Sequence, residues 1–350
     1  MTTLAATTPS AAVSLASGRR LRLTGLAVLL IVACALPFVT SNFRTFQFTL
    51  VLVYAIALFG LNILIGWNGQ ISLGHGAFYA IGAYTAAILM DRFGVPYWLT
   101  VPAAGLVCLA AGFLFGLPAL RLEPLYLALA TFALGVSMPN LLKYKHIERW
   151  TGGVQGIVLV KPEAPFAPFG FRLTPDQWLY FFTFAVMIVM FVLGWNLMRG
   201  RVGRALVAIR DHPIAASAMG IDTALYKSLA FGVSAMYTGV AGALGAIAVQ
   251  FVAPDSFPPF LSIMFLVGVV VGGLASIPGA LFGALFIQFV PNIADHFSKA
   301  APWAIYGVVL IAFMFLMPAG ISGAIHLSWA KIRAAHAQRS QRPGGVSTPC

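Results

Sequence analysis

Charged side chains are scarce in this sequence. Asp, Glu, Lys and Arg together make up 9% of the 350 residues, whereas hydrophobic residues make up 60%. Soluble domains usually contain about 25% charged and about 45–50% apolar residues. A water-soluble globule of this length needs more polar surface, so the composition excludes an ordinary soluble protein. The mean hydropathy of +0.91 and the apolar runs along nearly the whole chain predict a polytopic membrane protein.

The apolar runs and the charges also lack the patterns of two other classes. Strands of transmembrane β-barrels alternate apolar and polar residues over about ten positions. Here the runs are continuous, as helices that cross about 30 Å of hydrocarbon require. The net charge of +12 fits loops that face an anionic membrane surface better than nucleic-acid binding. We therefore expect an all-α fold, contact with membrane lipid and no nucleic-acid partner.

Residues that carry catalytic or metal chemistry are also missing. Cys34, Cys108 and Cys350 have no metal-like spacing, and two of them lie inside apolar runs. No His, Asp and Glu cluster at ligand spacing occurs, and no Ser-His-Asp constellation. The sequence predicts no catalytic residue, no metal site and no cofactor, so we expect a non-enzymatic chain.

Intramembrane carboxylates and a nucleotide-binding loop are absent as well. Asp91, Glu123, Asp255 and Asp295 fall at the ends of apolar runs and none lies in the middle of one. Carriers driven by protons or sodium usually keep an ionisable group within the membrane, so the sequence disfavours that class. It also lacks a GxxxxGK[ST] phosphate loop. If transport is active, its energy must come from another polypeptide.

The apolar runs predict about ten transmembrane helices. A disordered tail (1–22) precedes the transmembrane region (23–320), and a second tail (321–350) follows it. An alternative for the first span is a cleaved signal peptide, because a basic stretch precedes it and Ala33-Cys34-Ala35 resembles a cleavage site. The predicted spans are approximately 23–39, 46–66, 71–90, 98–118, 124–142, 179–198, 225–248, 260–277, 279–297 and 302–320.

The placement of Arg and Lys predicts the orientation. An even number of spans puts both termini on one side, and the positive-inside rule makes that side the cytoplasm. The Arg-rich loop at 199–224 is then cytoplasmic, whereas the nearly charge-balanced loop at 143–178 is extracytoplasmic. The span count is weakest over 260–297, which only Pro278-Gly279 interrupts.

Gly pairs at four-residue spacing recur inside the spans, as at Gly268/Gly272 and Gly279/Gly283. Such pairs let helix backbones approach closely, either within one bundle or between two chains. We expect ordinary packing within the bundle.

The most polar stretch within the membrane region runs from Asn62 to Tyr84. It combines several glycines with polar side chains, which suits a helix break that lines a cavity for solute. A sharp helix–helix turn with hydrogen bonds between helices would explain the same residues. The predicted substrate-pathway residues are Asn68, Gln70, Ser72 and His75.

A second informative stretch runs from Arg199 to Asp222. Pro213 suits the first turn of a short helix and Gly220 suits the position just past its end. A short helix of small residues with arginines around it is typical of a segment that docks into a groove of a partner. An interfacial helix that lies on lipid is the alternative.

Together these stretches resemble the permease subunits of ABC importers for branched-chain amino acids, of the LivM type. Ala215-Ala216-x-x-x-Gly220 resembles the core of the family's loop that contacts the ATPase. The general pattern has a Glu where this chain has Ile214. The matching segments are Gly66–Tyr84, Thr151-Gly152-Gly153 with Gly156-Ile157, Gly203–Asp222 and Gly272–Gly279.

The resemblance implies a ten-helix ABC importer permease fold in a bacterial inner membrane. It also implies a complex with a second, LivH-like permease, two ATPase subunits and a periplasmic solute-binding protein. ATP hydrolysis would then occur on the partners. The residues expected to couple this chain to the ATPase are Arg204, Arg210, Asp211, Ala215, Ala216 and Gly220.

Other functions remain open at this point. Permeases of similar sequence also serve urea and amides, and the binding protein that selects the solute is a different chain. A secondary carrier or a channel would work without any ATPase.

Overall fold

The computed structural model describes residues 30–119, 123–163, 173–297, 302–317 and 320–325. The predicted N-terminal tail, residues 23–29 of the first predicted span and nearly all of the predicted C-terminal tail lie outside these residues.

Helices coincide with all of the predicted spans. The first described helix is Leu30–Val39, and Ile63–Trp67 continues the second helix as a π-helical turn. Most other helices that overlap predicted spans begin and end within a few residues of the predicted bounds, because the apolar runs and the Pro and Gly residues between them define both. Three short helices, Lys145–Thr151, Arg201–Asp211 and Pro213–Ala218, lie outside the predicted spans. The described helices are α1 (Leu30–Val39), α2 (Asn42–Asn62), α3 (His75–Phe93), α4 (Tyr97–Ala119), α5 (Pro124–Leu142), α6 (Lys145–Thr151), α7 (Pro175–Arg199), α8 (Arg201–Asp211), α9 (Pro213–Ala218), α10 (Thr223–Val249), α11 (Pro259–Gly272), α12 (Ile277–Phe297) and α13 (Pro302–Leu316).

Within the described residues, seven helices are long and apolar enough to cross a membrane. The expectation of a helical, polytopic membrane protein is therefore confirmed, whereas the exact count of ten spans is not. α3 is not among the seven, although it packs inside the bundle between two of them. The seven candidate spans are Asn42–Trp67, Tyr97–Pro118, Leu125–Leu142, Pro175–Arg199, Thr223–Val249, Pro254–Gly272 and Ile277–Ala294.

α10 lies at the centre of the bundle and packs against α4, α3 and α2. Small residues make these contacts close. A Cβ on Gly82 would overlap the carbonyl of Gly239, and a Cβ on Gly112 would overlap the side chain of Ala235. Lipid offers no hydrophobic drive for helices to associate, so packing of this kind is what holds such a bundle together.

The glycine pairs of α11 and α12 pack within the chain, as expected. A Cβ on Gly272 would overlap the carbonyl of Gly279, and a Cβ on Gly283 would overlap the carbonyl of Gly268.

The interruption between α11 and α12 lies earlier than the sequence predicted. α11 ends at Gly272 rather than near residue 277, and α12 begins at Ile277. Gly273 has a φ of 112° and Ala275 a φ of 54°, values that end a right-handed helix. The prediction of a break at Pro278-Gly279 was therefore wrong by several residues, because proline is tolerated in the first helical turn and Pro278 is the second residue of α12.

The bundle has two distinct ends. At one end, a two-residue strand β1 (Ile157–Val158) pairs antiparallel with β2 (Phe251–Val252), and Lys143 lies 2.6 Å from Asp255. α8, α9, the α2–α3 connection and the α11–α12 connection lie at the opposite end. The short strand pair is an addition to the expected all-α architecture; β1 and the short helix α6 lie within the predicted loop at 143–178, whereas β2 follows α10.

Candidate functional site

The four predicted pathway residues lie where α2 gives way to α3. α2 widens into the π-helical turn Ile63–Trp67, and a non-helical connection follows until α3 begins at His75. Gly69, in the middle of the connection, has a φ of 74°, which favours glycine. π-helical turns of this kind are frequent at functional sites.

His75 sits in a directional chain of buried hydrogen bonds. The Ser234 hydroxyl donates to the carbonyl oxygen of Gly60 over 2.6 Å, so its oxygen accepts from His75 Nε2–H at 2.7 Å. His75 Nδ1 then accepts from the Ser72 hydroxyl, 3.0 Å away. Ser72, His75 and Ser234 are fully buried. This chain ties the start of α3 to both α2 and α10.

Asn68 and Gln70 lie on the more open part of the connection. Asn68 Nδ2 donates to Gln70 Oε1 over 2.9 Å. Asn68 is 3% exposed, and its Oδ1 has no hydrogen-bond partner among the described residues. Gln70 is partly exposed. Of the four predicted residues, Gln70 is therefore the most accessible in this conformation, whereas Ser72 and His75 face the protein interior.

Asn62 joins this connection to the one between α11 and α12. Its Oδ1 accepts from the Ala275 N–H at 2.9 Å, and its Nδ2 donates to the carbonyl oxygens of Ser276 (2.9 Å) and Gly273 (3.4 Å). The side chain is 1% exposed. Sequence reasoning noted Asn62 as a polar residue but gave it no role. The signal in the sequence is an amide at the end of the apolar run Leu50–Leu61, since such a group needs partners.

A cavity of about 560 Å³ opens beside the α11–α12 connection. The Arg199 guanidinium lies over the Trp195 ring, 4.1 Å from its centroid, in a cation–π contact at the cavity wall. This cavity could not be predicted from the sequence, because its walls come from four separate segments. They are Trp67, Trp195, Arg199, Gly273, Leu274, Ala275, Ser276, Ile277, Pro278, Ser322 and Gly323.

α9 has the form that the sequence predicted. Pro213 occupies its first turn, and Gly220, with a φ of 82°, follows its last turn. Ile214 is 85% exposed, and no atom lies within 4 Å of a Cβ built on Gly220. Ala215 is exposed too, whereas Ala216 is 4% exposed and faces the chain itself. α9 therefore presents an uncovered apolar surface at this end of the bundle.

The charged side chains predicted for this segment point in two different directions. Arg204 is exposed, and its side chain makes no hydrogen bond or ion pair to any residue that the structure describes. Arg210 instead turns towards the membrane region, and its Nη1 donates to the carbonyl oxygen of Gly66 over 2.7 Å. Asp211 holds the same guanidinium through Arg210 Nε and Nη2, each at 3.0 Å.

The described residues contain no group of three or more His, Cys, Asp or Glu side chains that could hold a metal ion. The geometry is that of a buried polar junction between interrupted helices, next to an exposed helical surface.

Comparisons with known proteins fit this architecture. The family model described as branched-chain amino acid transport system / permease component matches residues 44–318. The high-affinity branched-chain amino acid transport system permease protein LivM of Escherichia coli is 33% identical over 85% of this chain and 74% of its own length. BraD of Pseudomonas aeruginosa, a permease protein of the same kind of system, is 25% identical over 77% of this chain and 91% of its own.

Two further likenesses were found. The probable permease protein LivH of Methanocaldococcus jannaschii is 27% identical over 74% of this chain and 84% of its own length. The solved structure of PsaBC from Streptococcus pneumoniae in complex with Fab aligns with 79% of this chain and 91% of that chain, at 14% identity and a TM-score of 0.40, which is a weak likeness.

The extent of the family match and the identity to LivM confirm the resemblance seen in the sequence motifs. The chain belongs to the permease-component family of branched-chain amino acid transport systems.

Proposed function

We propose that this chain is the transmembrane permease subunit of an ATP-driven, binding-protein-dependent importer of branched-chain amino acids. The observation that carries the proposal is the family match across residues 44–318, together with relatives named as permeases of branched-chain amino acid transport systems. The chain forms part of the translocation pathway and is not itself a catalyst.

The proposed partners are those of such an importer. They are a LivH-like second permease, two ATPase subunits and a periplasmic solute-binding protein. The exposed α9 surface supports an ATPase contact, because Ile214 and Met219 are 85% and 83% exposed and remain uncovered by this chain. The coupling residues of the proposal are Arg204, Arg210, Asp211, Ala215, Ala216 and Gly220.

The proposed topology has ten spans with both termini in the cytoplasm of a bacterial inner membrane. In this arrangement most of the 21 Lys and Arg residues fall at the α8–α9 end or in the two tails. Most of the 9 Asp and Glu residues fall at the end with the strand pair. This asymmetry is what the positive-inside rule requires.

The proposed solute pathway passes the α2–α3 connection, with Asn68, Gln70, Ser72 and His75 at its wall. The unpartnered Asn68 Oδ1 supports this assignment, because a buried acceptor without a donor is costly unless something binds it. Ser72 and His75 contribute by fixing the connection from inside, since their hydrogen bonds reach Ser234 and Gly60.

Reconstitution tests the proposed function. The complete complex in liposomes, with binding protein and ATP, should accumulate radiolabelled leucine, and omission of the ATPase subunits should abolish uptake. Uptake that persists without the ATPases would show a secondary carrier or a channel instead. ATP-dependent uptake of urea or an amide but not of leucine would assign the chain to the other substrate class of the same fold.

A further inference from the structure

The backbone is interrupted twice at the α8–α9 end of the bundle, and the two interruptions are joined. Asn62 binds three backbone groups of the α11–α12 connection. Gly66, one turn further along, lies so close to Ala275 that a Cβ on Gly66 would overlap the Ala275 backbone nitrogen. We refer to residues 62–74 and 273–276 as the joined breaks. Neither segment can shift alone without breaking the hydrogen bonds of Asn62, whose side chain is buried.

One side chain outside the membrane helices binds the joined breaks directly. Arg210 Nη1 donates to the Gly66 carbonyl oxygen over 2.7 Å. This oxygen lies at the end of the π-helical turn, where backbone carbonyls lack donors from their own helix. The aliphatic part of Arg210 packs on Gly69, where a Cβ would come within 2.8 Å of Arg210 Cγ. The contact is therefore a hydrogen bond to a charged donor, with close packing beside it.

The arginine is held in this orientation from its own helix. Asp211 Oδ1 accepts a hydrogen bond from Arg210 Nε at 3.0 Å and forms an ion pair with Nη2 at 3.0 Å, which leaves Nη1 for Gly66. Because the guanidinium is a planar fork, fixing two donors fixes the direction of the third. A lysine ammonium could not satisfy Asp211 and Gly66 in the same geometry.

Arg210 also lies next to α9. It is in the last turn of α8, and only His212 separates α8 from α9. A displacement of α9 therefore reaches Arg210 over a very short length of chain. The hydrogen bond from Arg210 to Gly66 then connects α8 to the joined breaks.

We propose that Arg210 is a positioning residue that transmits displacement of α9 to the joined breaks through the Gly66 carbonyl. The inference rests on the proposed function, in which an ATPase subunit moves α9. In this role Arg210 acts inward on its own chain and is not a docking contact for the ATPase. Its loss uncouples ATP hydrolysis from transport and leaves the complex assembled.

The functional test uses the reconstituted complex with Arg210→Gln, Arg210→Lys and the control Arg44→Gln. Arg44 is exposed and lies in the first turn of α2, at the opposite end of the bundle from Arg210. The number of leucine molecules taken up per ATP hydrolysed should fall about tenfold in both Arg210 variants. The loss of one charge-assisted hydrogen bond changes an equilibrium constant by about that factor. The control should keep the wild-type ratio. A wild-type ratio in Arg210→Gln would overturn the proposal, as would loss of ATPase co-purification.

A second measurement tests, in the chain without its partners, whether Arg210 connects α9 to the joined breaks. Spin labels are placed at Ile214 on α9 and Leu274 in the joined breaks, which are 85% and 53% exposed. The distance distribution should be narrow with Arg210 present and should broaden in Arg210→Gln and Arg210→Lys. An unchanged distribution in both variants would overturn the link. Because this measurement needs no ATPase, it remains decisive even if the reconstituted complex fails to transport and the proposed function is wrong.

Discussion

Asn62 Oδ1 accepts a hydrogen bond of 2.9 Å from the backbone N–H of Ala275, a residue that the bond holds at a φ of 54°. A left-handed conformation costs an L-residue about 1–2 kcal/mol, so the connection between α11 and α12 depends on this amide. The other two hydrogen bonds of Asn62 go to the carbonyl oxygens of Gly273 and Ser276, which begin and end the same connection.

Replacement of Asn62 by leucine should destabilise this connection. The Ala275 N–H and the Ser276 carbonyl, both partly buried, lose their partners, and a backbone group left unsatisfied costs up to about 1–3 kcal/mol. The midpoint of thermal unfolding in detergent should fall. Ala275→Gly in the same background should recover part of the loss, because glycine adopts positive φ freely. An unchanged midpoint in Asn62→Leu would show that the connection holds without the amide.

Ser234→Ala should destabilise the chain more than removal of an exposed hydroxyl. His75 Nε2–H would lose its acceptor and the Gly60 carbonyl its donor in a fully buried setting. We expect a loss of about 1–3 kcal/mol of stability. Ser217→Ala, which removes an exposed hydroxyl on α9, is the matched control for thermal unfolding. Equal midpoints for the two variants would contradict the role assigned to the His75 chain.

The proposed topology predicts which loop a membrane-impermeant thiol reagent reaches. In a variant without the three native cysteines, Val154→Cys should react from outside intact cells and Met219→Cys should react only after permeabilisation. Both side chains are well exposed in the folded chain, at 66% and 83%, so a difference in labelling reports the side of the membrane. The reverse pattern would invert the orientation.

A cysteine scan across residues 66–82 tests the proposed pathway. Gln70 and its exposed neighbour Ile71 should react with a small water-soluble thiol reagent in the resting complex. Ser72 and His75 should stay unreactive until ATP turnover opens the connection, because both are fully buried. If no position reacts in any state while transport is normal, the stretch is structural packing and the pathway lies elsewhere.

Two substitutions on α9 distinguish its exposed face, which is proposed to contact the ATPase, from its buried face, which packs on this chain. Ala215→Arg places a long charged side chain on the exposed face, so ATPase co-purification should fall while detergent stability stays near that of wild type. Ala216→Arg forces the same side chain into a site that is 4% exposed, so stability should fall as well. Normal assembly in Ala215→Arg would mean that α9 does not contact the ATPase.

The helices could be predicted from the sequence because lipid requires long apolar runs, and Pro124 and Pro175 mark the start of two of them. The break after α11 was misplaced, because it depends on Asn62, more than 200 residues away in the chain. The exposed form of α9 followed from Pro213 and Gly220, which act locally. The inward direction of Arg210 could not be predicted, since an arginine in a polar loop gives no sign of which distant carbonyl it meets.

α10 is a single unbroken helix of 27 residues, and so about 40 Å long. Asp222 caps its first turn directly after the α9 segment, and its last residues lead into β2, which is paired with β1. The two ends of α10 are therefore attached to structures at opposite ends of the bundle. A single continuous helix thus connects the α9 segment to the strand pair, so the length of α10 sets the spacing between these two ends of the bundle.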